Sequence, residues 1–260
     1  MKKLNLLALG IILISLVFTS CEKNFLYITG EGAVITKTLE LPDISAVTNN
    51  DCFDVVIVQG DTQKIEVVGQ SNIIDRLKTN VIGGKWNVSL LPGRYKNFDL
   101  TVYITVPDIN SIKINGSGNI EVGGFYELSD LDIQISGSGN ITVMDTIFAQ
   151  NIDAEIQGSG SINFYAVADN IDTQIMGSGT IEVEGTTVTQ SIRIDGSGNY
   201  KAFDLMSENA TVRVSGSGDS KINVEKNLEV DIYGSGDVYY IGYPSIDINI
   251  AGSGSIISWN

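Results

Sequence analysis

The chain has 260 residues, 43% of them hydrophobic, enough for one large domain or two small ones around a buried core. Its 16 Lys and Arg stand against 31 Asp and Glu, a formal net charge of −15. That balance disfavours DNA, RNA or an anionic membrane face as the main partner and favours a cationic partner or a divalent ion. The absence of histidine excludes Ser-His-Asp and Cys-His nucleophilic sites and histidine-ligated metals.

In chain order, Lys2 and Lys3 precede the apolar run LNLLALGIILISLVF, which ends at Phe18 and is followed by TSC. This fifteen-residue stretch falls short of the roughly 20 that cross a bilayer as a helix, so residues 1–20 read as a cleaved signal peptide. The sequence FTSC resembles a bacterial lipobox, with Cys21 as the lipidated residue, although Phe18 stands where Leu is usual. Residues 21–30 then form a tether, and the exported chain, without Lys2 and Lys3, carries 14 basic against 31 acidic residues, or −17. With Cys21 acylated, Cys52 has no cysteine to pair with; it reads as a small buried residue in DCFDVVIVQG.

Residues 31–110 read as the N-terminal β-rich part of the solenoid. GAVITKTLEL, FDVVIVQG, KIEVVG, WNVSLLP and FDLTVYITVP carry β-branched or aromatic residues at period two between turn signals. SNIIDRLKTN, residues 71–80, is the one stretch that reads as a helical turn.

From residue 111 to 260 a repeat takes over. The tripeptide GSG occurs eight times, with serines at Ser117, Ser138, Ser159, Ser178, Ser197, Ser217, Ser235 and Ser253, spaced 21, 21, 19, 19, 20, 18 and 18 residues apart. Residues two apart share a face of a strand, so Ile133, Ile135, Gly137, Gly139, Ile141 and Val143 lie in one inward row. The tripeptide therefore changes the residue type without breaking the parity. The same count puts both glycines of every copy inward, as Gly116 and Gly118, Gly137 and Gly139, Gly158 and Gly160, Gly177 and Gly179, Gly196 and Gly198, Gly216 and Gly218, Gly234 and Gly236, and Gly252 and Gly254, with each serine outward. A side chain inside a tight corner would collide with the core or the opposite wall, and glycine has none. No connection has room for a crossover helix. Stacked coils of about 18–21 residues, each burying its apolar row on its neighbours, predict an all-β, single-stranded parallel β-helix. Antiparallel hairpins turning at GSG would keep the same parity, but no Asn-Gly or Asp-Gly turn marks them.

Stacking converts repeat positions into columns. The residue after each tripeptide gives Asn119, Asn140, Ser161, Thr180, Asn199, Asp219, Asp237 and Ser255, a small polar column suited to hydrogen bonding between coils or to a flat recognition face. Five residues before each first glycine stand Ser111, Asp132, Asp153, Asp172, Ser191, Thr211, Glu229 and Asp247. Neighbouring carboxylates about 4.8 Å apart repel by roughly 1 kcal/mol in water. Asp132, Asp153 and Asp172 are thus the candidate metal ligands, with calcium the cofactor their hard oxygens would take; none is required. For catalysis no residue is singled out. The outward basic residues of the repeats, notably Lys113, Arg193 and Arg213, are few for a polysaccharide lyase. Tyr239, Tyr243 and Trp259 read as a cap over the last coil. GSG is no phosphate loop, since neither helix nor lysine directly follows it.

The leader with FTSC, GAVITKTLELPDISAVTNNDCFDVVIVQG, FDLTVYITVPDINSIKINGSGNI and the serial GSG together resemble the bacterial family of putative auto-transporter adhesins with a head GIN domain. The resemblance implies a right-handed, pectin-lyase-like β-helix in an exported, envelope-associated protein, with no catalytic residues to carry over. The reading is a non-enzymatic lipoprotein of the cell envelope, at the outer membrane, held to the membrane by its lipid. It uses its wall as an adhesin or binding scaffold for a glycan or a surface protein, with no nucleic-acid partner. The alternatives are a polysaccharide-active enzyme, lyase or hydrolase, on the same scaffold, and a structural spacer.

Overall fold

The computed structural model describes residues 27–260. It is 68% strand and 2% helix, a parallel β-solenoid of about seven turns. Among the described residues no helix is long and apolar enough to cross a membrane. The leader and Cys21 lie outside the described residues.

Period-two alternation sets the coil-to-coil register. Ile114 pairs with Ile135, Ile135 with Ile156, Ile156 with Ile175, and Ile175 with Ile194, all parallel. The column continues through Val214, Ile232 and Ile250. These β-branched side chains suit a pleated surface, and all of them before the last coil are fully buried. Each contributes about 1.5–3 kcal/mol on leaving water. A second inward column, Ile120, Ile141, Ile162, Ile181 and Tyr200, lines the adjoining wall. One interior stretch is polar. Gln190, fully buried, donates to the Ser207 hydroxyl (2.7 Å) and to the Asn223 carbonyl (3.2 Å), and accepts from the Tyr200 hydroxyl (3.2 Å). Burial pushes the Tyr200 phenol far above its ordinary value.

At the corners every second glycine of GSG is buried, every first glycine is partly or fully exposed, and all eight serines are exposed. The obstacle to a side chain is a core residue together with the backbone of the coil below. A Cβ on Gly179 would stand 2.6 Å from Cγ2 of Ile156 and 2.8 Å from the carbonyl oxygen of Gly160. At the first position Gly137, Gly158, Gly177, Gly196 and Gly216 share a φ of +134° to +149°, and a Cβ would run into the carbonyl of the preceding first glycine. The turn thus needs glycine twice, once for backbone conformation and once for close approach.

The N-terminal part follows a different order. Ala46–Asn49 and Asp54–Gln59 pair on one side with Ser111–Ile114 and Asn119–Val122, and on the other with Lys85–Val88 and Leu100–Val106. The coil closed by residues 85–106 therefore lies outside the coil that precedes it in sequence. Antiparallel strands Lys64–Gln70 and Val34–Leu39 extend the sheet beyond Leu100–Val106, and the helical turn is confined to Ser71–Ile74. Cys52 is exposed rather than buried. Phe53, Val55 and Ile57 take the inward parity, which leaves residue 52 on the outer side.

The other end is open, which corrects the expected aromatic cap. Ile248 is 46% and Ile250 40% exposed, and Tyr243 is 89% exposed. Trp259 stacks on Phe203 (centroids 6.3 Å apart) and meets Tyr239 edge-on (5.8 Å).

Candidate functional site

Two outward columns on strands Phe125–Gly137, Asn140–Gly158, Ser161–Gly177 and Thr180–Gly196 line a concavity of about 550 Å³. The first holds Asp132, Asp153, Asp172 and Ser191, in direct register, as the spacing of the repeat predicts. The second, two residues on, holds Gln134, Glu155, Gln174 and Arg193. It begins at Lys113 and continues to Arg213. Lys113, Arg193 and Arg213, three of the six basic residues of the repeats, therefore stand in one column beside the carboxylates, an alignment the spacing contained and the sequence reading passed over.

The charges at the ends of the groove are engaged. Lys113 forms an ion pair with Asp132 (2.6 Å) and donates to Gln134 (3.0 Å), which donates in turn to Glu155 (3.1 Å). Arg193 holds Asp195 through two donors, at 2.6 and 3.2 Å. In the middle, Asp153 has a pKa raised above the ordinary carboxylate value, by burial first and then by the charges of Asp172, Asp132 and Asp130. This accords with like charges stacked at strand spacing. Among the described residues no group of three or more carboxylates or cysteines is placed to hold a metal ion. The three Asp candidates are spread along the wall at one per coil, and Lys113 takes up the first of them.

The polar columns are bonded between coils. Asn119 donates to Asp54 (3.1 Å), Asn140 to Asn119 (3.0 Å) and the Ser161 hydroxyl to Asn140 (2.6 Å). Farther up, the backbone NH groups of Asp237 and Ser255 donate to the carboxylates one coil below, at 2.9 and 2.8 Å. A second ladder, which the repeat also contained, runs through Asp130, Asn151 and Asn170 at 2.8 and 2.9 Å.

The third wall presents apolar side chains. Tyr126 stacks on Phe148, with centroids 5.0 Å apart and planes 18° from parallel. Phe148 is in register with Val167, and Val167 with Thr186. A concavity of about 420 Å³ lies beside them, rimmed by Glu127 and Asp169. The sequence reading placed surface aromatics at the C-terminus and missed this pair; their 22-residue separation, close to one coil, was the available signal.

Residues 43–244 match the family described as putative auto-transporter adhesin, head GIN domain. No curated protein matches the chain. Among solved structures, a putative lipid binding protein from Parabacteroides distasonis is 25% identical with a TM-score of 0.81, over 90% of this chain and 100% of its own. A putative adhesin from Parabacteroides merdae is 19% identical with a TM-score of 0.83, over 90% of this chain and 99% of its own. A second putative adhesin from Parabacteroides distasonis is 20% identical with a TM-score of 0.83, over 89% of this chain and 99% of its own.

Proposed function

Because the chain belongs to the family of putative auto-transporter adhesins with a head GIN domain, we propose that it is an exported, lipid-anchored envelope protein. Its solenoid wall binds a ligand without transforming it. The observation that carries this reading is the groove over Asp132, Asp153 and Asp172 with its adjoining Gln134, Glu155 and Gln174. Carboxylates and amides spaced at one coil per step offer a row of hydrogen-bond acceptors and donors that suits the hydroxyl groups of a neutral or amine-bearing glycan. The stacked Tyr126 and Phe148 on another wall offer a second surface for sugar faces.

The anchor reading rests on Cys21 at the end of the apolar leader. Labelled palmitate enters the wild type and not Cys21→Ala, and protease treatment of intact cells reports which side of the envelope the wall faces. Labelling that persists in Cys21→Ala removes the anchor.

The wall reading is tested by a glycan and host-protein binding screen of the wild type beside the Asp153→Asn, Asp172→Asn double variant. Binding that the double variant leaves unchanged moves the ligand elsewhere. Carboxylates meeting cations in one groove also favour a second reading, a polysaccharide lyase or hydrolase using these acids, with calcium where the Asp column would bind it. Against it, Lys113 and Arg193 both sit in short ion pairs, which suppresses their use as a base. Turnover of acidic polysaccharides, with or without added calcium, would establish the enzyme and overturn the binding scaffold.

A further inference from the structure

The net charge of the chain averages over a strongly segregated distribution. Residues 27–70 contain 2 basic and 7 acidic residues, or −5, and residues 99–260 contain 6 and 22, or −16, whereas residues 71–98 contain 5 basic and 1 acidic, or +4. The basic segment lies at the N-terminal end of the stack, beside the strands Val34–Leu39 and Lys64–Gln70. Lys85–Val88 lies outside the coil of Ala46–Asn49, and Val81–Ile82 pairs antiparallel on its far side. Lys78 is tied to this layer through its backbone, its carbonyl accepting from the Trp86 indole (2.9 Å) and its NH donating to Ser89 (2.8 Å). Its side chain and that of Lys85 are exposed, with no carboxylate paired to either among the described residues. The same segment shows Ile82, 75% exposed at a two-glycine turn and paired in register with Lys85, and Leu91, 44% exposed.

The same end receives the preceding chain. Ile28–Thr29 pairs in parallel with Tyr95–Lys96, and the Lys96 ammonium lies 4.6 Å from the centroid of the Tyr27 ring. The 26 residues before Tyr27, with the leader and Cys21, thus join the fold beside this cap.

We propose that the basic N-terminal cap is a membrane-contact face that seats on anionic phospholipid headgroups and stands the acidic solenoid away from the bilayer. Lys78, Lys85 and Lys96 supply the attraction, Ile82 and Leu91 enter the headgroup boundary, and the charge of −16 on residues 99–260 is repelled from the same surface, which fixes the orientation. The anchored reading supplies only the reason for a bilayer at this end, and the test does without the anchor. Residues 27–260 are the part to use, because solved relatives comprise the equivalent of this part alone, 99–100% of their chains being matched over about 90% of this one.

Purified residues 27–260 are floated with phosphatidylcholine vesicles with and without phosphatidylglycerol. The expected result is flotation only with the anionic lipid, lost at high salt. Each lysine near an anionic surface is worth about a factor of five, so the combined Lys78→Gln, Lys85→Gln, Lys96→Gln variant lowers partitioning about a hundredfold. A control with the same charge change elsewhere, Lys201→Gln, Lys221→Gln, Lys226→Gln, leaves it unchanged. All six lysines are exposed, so unfolding does not confound the comparison, and circular dichroism checks this. Equal binding to neutral vesicles, no flotation, equal loss in both triple variants, or retention on heparin without flotation would each overturn the proposal.

Discussion

Gly179→Ala isolates what the corner requires. Gly179 is buried and has no positive φ, so the substitution adds one methyl and no backbone strain. That methyl would lie 2.6 Å from Cγ2 of Ile156 and 2.8 Å from the Gly160 carbonyl oxygen. The same carbonyl accepts the rung hydrogen bond from the Thr180 NH at 3.1 Å. Ile156 is fully buried and has nowhere to turn, so the coils must part locally. Forcing an extra methyl into a packed core costs about 1–3 kcal/mol, and weakening the rung bond adds about 1 kcal/mol. The stiffer unfolded chain returns about 0.4–1 kcal/mol. The net loss is about 2–3 kcal/mol, a drop in Tm of roughly 5–10 °C for a domain of this size. Thermal and urea unfolding followed by circular dichroism measure it, with Ser178→Ala, on the exposed side of the same corner, as the reference expected within about 0.5 kcal/mol. If Gly179→Ala unfolds together with Ser178→Ala, close coil-to-coil approach is not why the repeat carries glycine there.

Other consequences are open to the same instruments. Asp153 has a raised pKa, so its ionisation opposes folding. Stability tied to this group is full below the ordinary carboxylate pKa and is lost as pH rises through the raised one. Asp153→Asn therefore raises Tm at neutral pH, with roughly 1 kcal/mol of repulsion relieved per neighbouring carboxylate, and the gain vanishes below pH 4; a gain that persists there would assign it to something other than charge. Tyr200 resists ionisation when buried, so the folded chain falls in stability as pH rises past the ordinary tyrosine value of about 10. Absorbance titration should leave one tyrosine unionised until alkaline unfolding. Gln190→Ala deprives the Tyr200 and Ser207 hydroxyls of their shared partner and costs about 2–4 kcal/mol; a loss under 1 kcal/mol would mean that water replaces it.

The repeat made the solenoid legible because two signals agree. Period-two parity fixes which side chains face inward, and the GSG spacing fixes which residue stacks on which, so the Asp132, Asp153, Asp172 column could be written down before any coordinate. The same arithmetic failed at Cys52, where no tripeptide marks the parity and Phe53 takes the inward place. It also failed over residues 34–106, because a strand destined for an antiparallel cap carries the same alternation as one destined for a coil. The third wall was hidden for another reason. A register shift at Phe125–Leu128 falls on Tyr126 itself, so the 22-residue separation from Phe148 pointed to the pair without fixing their alignment. The groove itself arises from two columns read together, and only one of them had been.

The crossed order of the first coils bears on how the chain is made. Ala46–Gln59 lacks its neighbours on both sides until residue 122 has been synthesised, because Lys85–Val88 and Leu100–Val106 flank it on one side and Ser111–Ile114 and Asn119–Val122 on the other, so a ribosome must deliver 122 residues before that coil is closed on both sides. Once that seed exists, each later coil docks on a finished template and needs only its own 18 to 21 residues. Assembly is then vectorial, a slow start followed by rapid growth, and the segment whose folding is hardest to begin is the first to be synthesised.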